Sequence, residues 1–166
     1  MLFQEAITLE CPPEKLADAV MSPRLFAYVS WPLMKFKPVD PAEPPEKWKE
    51  RVYKVKVLLF GFLPIGRHYL NISFRDLSSE KGKFWFELRD NGHSTFVPKW
   101  DHKITIYKTS DGCHYSDRVE IKAGVFTPVV WGFASLLYRH RQRRLRQLAA
   151  AGFVFPALFN DESAIE

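Results

Sequence analysis

From Tyr53 to Ile121 the chain alternates apolar and polar residues with a period of two, broken only by short turn sequences. Successive side chains on a strand point to opposite faces, so such a run reads as consecutive strands with one apolar face. Tyr53, Val55 and Val57 share a parity, as do His68, Leu70 and Ile72, and then Phe84, Phe86 and Leu88. Phe96, Trp100, His102 and Ile104 continue the pattern, and Tyr115, Asp117 and Val119 complete it. Turns are predicted at Gly61–Gly66, Ser78–Lys83, Asp90–Gly92 and Ser110–Gly112. Strands joined by short turns pair antiparallel, because a parallel pair needs a long crossover. A sheet with one apolar face needs a cover.

Only Thr127 to Ala151 is long enough to provide it. Thr127 is the expected N-cap, Pro128 suits the first turn, and Gly152 supplies a left-handed stop. The predicted helix spans about 36 Å at 1.5 Å per residue. Val129 to Tyr138 is apolar on nearly every side, so it is expected to be wrapped. Arg139 to Gln147 is rich in arginine. Before the meander, Phe3, Ile7 and Leu9 alternate in a first strand. Pro12 and Pro13 open a short helix, and Ser22 caps a second from Pro23 to Val29. Trp31 to Val39 reads as an edge strand because of its prolines, and Asp40 to Lys47 as a stiff loop. The expected class is α+β: a curved antiparallel sheet, two short N-terminal helices, and a long C-terminal helix across the concave face.

Parity locates two polar groups on the inner face. If the hairpin at Ser110 has a two- or four-residue loop, even positions of the strand before it share a face with odd positions of the strand after it. His102 and Asp117 then both face the helix among apolar neighbours. A buried carboxylate is costly unless paired. At 100° per residue Val130, Ala134, Leu137, Leu145 and Leu148 form one stripe with Arg141 in its middle, while Arg139, Arg143 and Arg146 point away. Arg141 is therefore expected to reach inward toward Asp117 or His102. Such a cluster would either orient a ligand or join helix to sheet as a structural pair.

Trp100-Asp101-His102, Tyr115-Ser116-Asp117-Arg118-Val119 and Tyr138-Arg139-His140-Arg141 resemble the W-x-H, Y-x-D-x-V and Y-R elements of a cyclase/dehydrase-like branch of the START/Bet v 1-like (SRPBCC) superfamily. The order of elements from Met1 to Gly152 is also similar to that superfamily's helix-grip fold. The resemblance implies one ligand-binding domain over residues 1–152, a tail over 153–166, and a hydrophobic cavity between sheet and helix.

The expected lining is Tyr53, Val55, Val57, His68, Leu70, Ile72, Phe84, Phe86, Phe96, Trp100, His102, Tyr115 and Asp117, with Val130, Phe133, Ala134, Leu137 and Arg141 from the helix. A hydrophobic or amphipathic molecule, lipid-like or polycyclic, is the expected ligand. One alternative is a cyclase or dehydratase using His102 as acid–base and Asp117 to orient it. Another is an interaction module using the basic helix face. Aromatics make up 15% of the residues, which suits either a broad core or an apolar cavity.

The +5 charge is concentrated in the arginines of the helix rather than spread over the surface. It comes without the recognition helix or aromatic platform that would indicate nucleic acid. The apolar tip Phe62–Ile65 is compatible with a lid, a packing contact or a transient membrane-surface contact. Cys11 and Cys113 have no metal-ligand spacing, and no metal or cofactor motif is present. The N-terminus does not read as a leader, so a cytoplasmic protein is expected. The tail's first half is expected to dock and its acidic end to be disordered.

Overall fold

Residues 1–159 are described by the structure, a computed structural model. Strands β1 (Leu2–Leu9), β2 (Met34–Asp40), β3 (Arg51–Leu59), β4 (Leu63–Asp76), β5 (Trp85–Ser94), β6 (Lys99–Thr109) and β7 (Gly112–Lys122) form one antiparallel sheet. Their spatial order is β1-β7-β6-β5-β4-β3-β2. The meander from β2 to β7 is closed by β1, which returns to pair with β7, and β2 forms the other edge. Helices α1 (Pro13–Val20) and α2 (Pro23–Ser30) follow β1, a single turn α3 (Ser78–Lys81) joins β4 to β5, and α4 (Thr127–Ala150) lies over the concave face. This is the α+β helix-grip architecture expected from the sequence.

Local chemistry sets the boundaries. Ser22 Oγ accepts the Arg24 N–H at 3.2 Å and starts α2. Thr127 is not the cap of α4. It sits inside the first turn, where Oγ1 accepts from the Ala123 N–H at 2.8 Å and donates to the Gly124 carbonyl at 2.7 Å. At the other end Gly152 adopts a φ of 65°, and the Phe153 N–H closes on the Leu148 carbonyl at 2.8 Å.

Two of the expected turns differ from expectation. The β3–β4 turn is only Phe60–Phe62, with Phe60 and Gly61 at φ 53° and 80°; Leu63, Pro64 and Gly66 already pair with β3. Asp90–Gly92 is not a turn, because β5 runs through it to Ser94 and stays paired with β6. The chain reverses instead at residues 95–98. Phe96 therefore lies beyond the strand alternation and is 75% exposed, so the expected inward placement does not hold.

Most of the core lies between the sheet, α1, α2 and the second half of α4. A smaller cluster of Phe3, Val119, Ile121, Ala134 and Tyr138 sits under the first half of α4. That half is not wrapped as expected: Val129 is 73% and Leu136 58% exposed, because one face of the helix, including Val130, Trp131 and Ala134, meets the sheet and the other faces outward. After the helix, Phe155 and Phe159 meet the Tyr28 ring edge-on at 5.6 and 5.2 Å. The acidic end of the tail lies outside the described residues.

Candidate functional site

The concave face and the helices enclose two hollows that share walls. The inner one is lined chiefly by Leu25, Val29, Ile72, Leu88, Ile104, Tyr115 and Leu145, and encloses a cavity of about 40 Å³. The outer one, about 100 Å³, is lined by Met34, Val57, Trp100, Leu137 and Tyr138 together with Ile65–His68, Ser94 and Val97. Phe26, Leu70, Asp90, His102 and Arg141 line both. The walls are largely apolar, and three ionisable side chains converge on the waist.

Behind that waist lies Asp117, almost fully buried. His102 Nε2 meets its Oδ1 at 2.7 Å, the Tyr115 hydroxyl donates to the same oxygen at 2.9 Å, and Gln142 Nε2 donates to Oδ2 at 2.8 Å. Burial opposes the charge of Asp117. The hydrogen bonds from His102 and Gln142 and the charge of Arg141 outweigh it and hold the carboxyl below its usual range. For His102 burial prevails, and its pKa falls despite Asp117. The imidazole is thus neutral. Since a carboxylate only accepts, Nε2 carries the proton, and Nδ1 keeps a lone pair with no hydrogen-bond partner among the described residues.

Asp90 stands at the waist because β5 continues where a turn was expected. The β4–β5 register passes through His68–Ser94 and Tyr69–His93 and resumes at Ile72–Asp90; in between, the Asn71 N–H donates to Asp90 Oδ1 at 2.8 Å. Burial raises the Asp90 pKa to about 7, against the Asn71 hydrogen bond and the Arg141 charge. Gly92 makes the crowding sterically feasible. A Cβ there would lie 2.7 Å from His68 Nε2, 2.7 Å from the Tyr69 carbonyl and 2.9 Å from Asp90 Oδ1. His68, also at the outer hollow, is pushed down to about 4 by burial and by His93.

Arg141 turns inward and is only 8% exposed. It touches neither Asp117 nor His102 through a hydrogen bond; Gln142, one residue on, is the α4 side chain that reaches Asp117. The Arg141 guanidinium lies 5.4 Å from the Phe26 ring and 5.0 Å from the Tyr138 ring. It makes no ion pair or hydrogen bond among the described residues. Tyr138, fully buried, accepts from Trp100 Nε1 at 3.2 Å, and its ring sits 4.7 Å from that of His102.

The remaining expected site residues divide into groups. Val57, His68, Leu70, Ile72, Trp100, His102, Tyr115, Leu137 and Arg141 border one or both hollows. Tyr53 and Val55 lie to one side under the proline loop, where the Tyr53 hydroxyl bonds the Lys49 backbone. Phe84, Phe86 and Phe133 belong to the main core, and Val130 and Ala134 to the smaller cluster. Asp117 stands one layer behind the wall. Asp90, Tyr138, Phe26 and Gln142 were missed. The parity of Phe84, Phe86 and Leu88 extends to Asp90, and that signal could have found it.

The basic helix face has internal partners. Arg139 pairs with Glu5 at 3.4 Å, Arg144 donates to the Tyr28 carbonyl at 2.9 Å, and His140 meets the Trp31 carbonyl at 2.8 Å. Among the described residues no cluster of His, Cys, Asp or Glu is arranged to hold a metal, and no helix is long and apolar enough to cross a membrane.

A family model described as Domain of unknown function (DUF8410) matches residues 8–149. No curated protein matches the chain in sequence. Among solved structures, protein CV1439 from Chromobacterium violaceum superposes with a TM-score of 0.60 at 19% identity, covering 89% of this chain and 96% of that one. A START superfamily protein from Mycobacterium smegmatis gives 0.56 at 14%, covering 90% and 97%. Ara h 8.0201 gives 0.56 at 14%, covering 91% and 98%. At such identities the likeness is one of fold, and that fold is START/Bet v 1-like.

Proposed function

The chain belongs to the DUF8410 family, and on its START/Bet v 1-like fold we propose that it binds a hydrophobic or amphipathic small molecule in the hollows between sheet and α4. The observation that carries this reading is the pair of joined apolar hollows with Asp90, His102 and Arg141 at their common waist. Ligand sites combine apolar walls, which supply affinity, with a few convergent polar groups, which fix orientation. Filled cores rarely bring three ionisable side chains to one empty space, since each costs desolvation. In this reading residues 1–152 are the binding domain, and residues 153–159 are an accessory that docks on α2. A cytoplasmic setting accords with two free thiols, Cys11 and Cys113.

Native mass spectrometry of the purified protein tests it. A co-purified small molecule, or saturable uptake of an apolar fluorescent probe that a Leu145→Trp variant blocks, is expected. A folded protein that carries nothing and takes up no apolar probe overturns the reading.

A second reading has its own observation. The neutral His102, held through Nε2 by Asp117, offers an unengaged Nδ1 in a wall residue of both hollows, which is the arrangement of a general base. Cyclase or dehydratase chemistry would use that nitrogen. Loss of turnover in His102→Ala with ligand binding retained supports it, and unchanged turnover excludes it.

A further inference from the structure

Among the described residues the guanidinium of Arg141, largely buried, makes no ion pair or hydrogen bond, though its charge acts on Asp90 and Asp117. The oxygens of Asp117 are already taken by His102, Tyr115 and Gln142. Asp90 shares the hollow walls with Arg141, but no ion pair forms between them. Phe26 and Tyr138 stabilise the charge through their ring faces, but rings offer no lone pairs to five N–H donors. A largely buried cation whose donors are not sealed off can take an anionic partner.

We infer that the ligand is an amphipathic monocarboxylate, its carboxylate seated on Arg141 and its apolar body in the inner hollow against Leu25, Val29, Ile72, Ile104 and Leu145. This rests on the binding reading above and names the ligand's class. The planar guanidinium matches a carboxylate in a two-pronged hydrogen bond. A doubly charged phosphate head fits less well, because Asp117 and Asp90 carry negative charge nearby and, among the described residues that line both hollows, Arg141 is the one fixed cation. The carboxyl of Asp90, half-protonated near neutrality, offers a second donor to the same head group.

Asp90 is faced by Arg141 and Tyr138 from α4, by His68 from β4, and by His102 and Asp101 from β6. Burial holds His68 near 4 and lowers His102 as well, so Asp90 is the group at the waist that titrates near neutrality. An incoming anion favours protonated Asp90. Binding therefore tightens on acidification through pH 7, by up to about tenfold per pH unit for one proton taken up.

Calorimetric titration of the intact protein with decanoate, decanol and decyl phosphate, and with 2-naphthoate and 2-naphthol, tests the assignment. The acids are expected to bind about tenfold or more tightly than the matched alcohols and than the phosphate. Arg141→Gln should erase that preference, and Arg141→Lys should restore part of it. If acid and alcohol bind equally, the carboxylate assignment falls and the apolar-binding reading stands. If decyl phosphate binds best, the head group is a phosphate and the assignment is wrong. If no probe binds, the binding reading falls as well. Should Arg141→Gln fail to fold, the acid-over-alcohol ratio of the unmodified protein still decides.

Discussion

Gln142 donates from Nε2 to Asp117 Oδ2 at 2.8 Å and to the Glu5 carbonyl at 3.0 Å, tying α4 to β7 and β1 through one side chain. Its Oε1 is buried without a partner, so the contact is retained despite one unmade hydrogen bond. Gln142→Ala should cost on the order of 2–3 kcal/mol, since it leaves a buried carboxylate short of a donor. Gln142→Glu should cost more, because it sets a second carboxylate against the first. Urea denaturation at pH 7.5 measures both, and a loss below about 0.5 kcal/mol for Gln142→Ala would show the tie to be dispensable.

Gly92 is expected to be intolerant of any side chain. A methyl group there would press on His68 Nε2, the Tyr69 carbonyl and the Asp90 carboxyl at once. Gly92→Ala should destabilise the fold by about 1–3 kcal/mol, as overpacking does. It should also weaken uptake of apolar probes, because both side chains it displaces border the outer hollow. Thermal melting and probe titration together check this; normal values in both would mean that the sheet relaxes around the methyl group.

The waist predicts an unusual pH dependence of stability. His68 falls to about 4 in the folded protein, against about 6.5 unfolded. Between those values the unfolded chain binds a proton that the folded chain does not, so stability drops as pH falls. Asp90 is the reverse: raised to about 7 from an unfolded value of 3.8, it binds a proton only when folded, and stability drops as pH rises through that window. The two contributions oppose each other between pH 4.5 and 6.5. Asp90→Asn should unmask the histidine contribution, with stability falling on acidification by about 1.4 kcal/mol per pH unit. His102, shifted in the same direction as His68, adds to that slope. Urea midpoints across the range give the comparison, and parallel profiles for the two proteins would refute the opposition.

Cys11 and Cys113 meet Sγ to Sγ at 3.6 Å inside the core, both as free thiols. Burial raises both, Cys113 to about 12, so little thiolate exists at pH 8. The native protein should react with a thiol-specific disulfide reagent only at its global opening rate, and both thiols should react at once in denaturant. Rapid labelling of either in the native state contradicts that burial.

Much of the fold was legible because it rests on two periodicities. The two-residue loop at Ser110–Asp111 fixes the pairing of β6 with β7, so the parity of His102 and Asp117 followed from counting. Arg141 could be separated from its arginine neighbours by helix angle alone. The site was less legible where short-range signals competed. Asp90-Asn91-Gly92 carries the composition of a hairpin turn, yet here the glycine serves close approach and the aspartate keeps the inner parity of Phe86 and Leu88. Phe96 had the right parity but sits in the turn that actually reverses the chain. Gln142, to which no role was expected, reaches Asp117 in place of Arg141, because angle gives direction while side-chain length and the position of β1 decide which group arrives.

The hydrogen bond from the Asn71 N–H to Asp90 Oδ1 replaces one backbone rung between β4 and β5 with a side-chain rung. The Asn71 side chain is exposed on the opposite, convex surface. Its amide therefore touches the waist through a single oxygen whose charge changes near neutrality. The nitrogen-15 shift of that one amide is expected to follow the charge of Asp90, and through it the occupancy of the cavity.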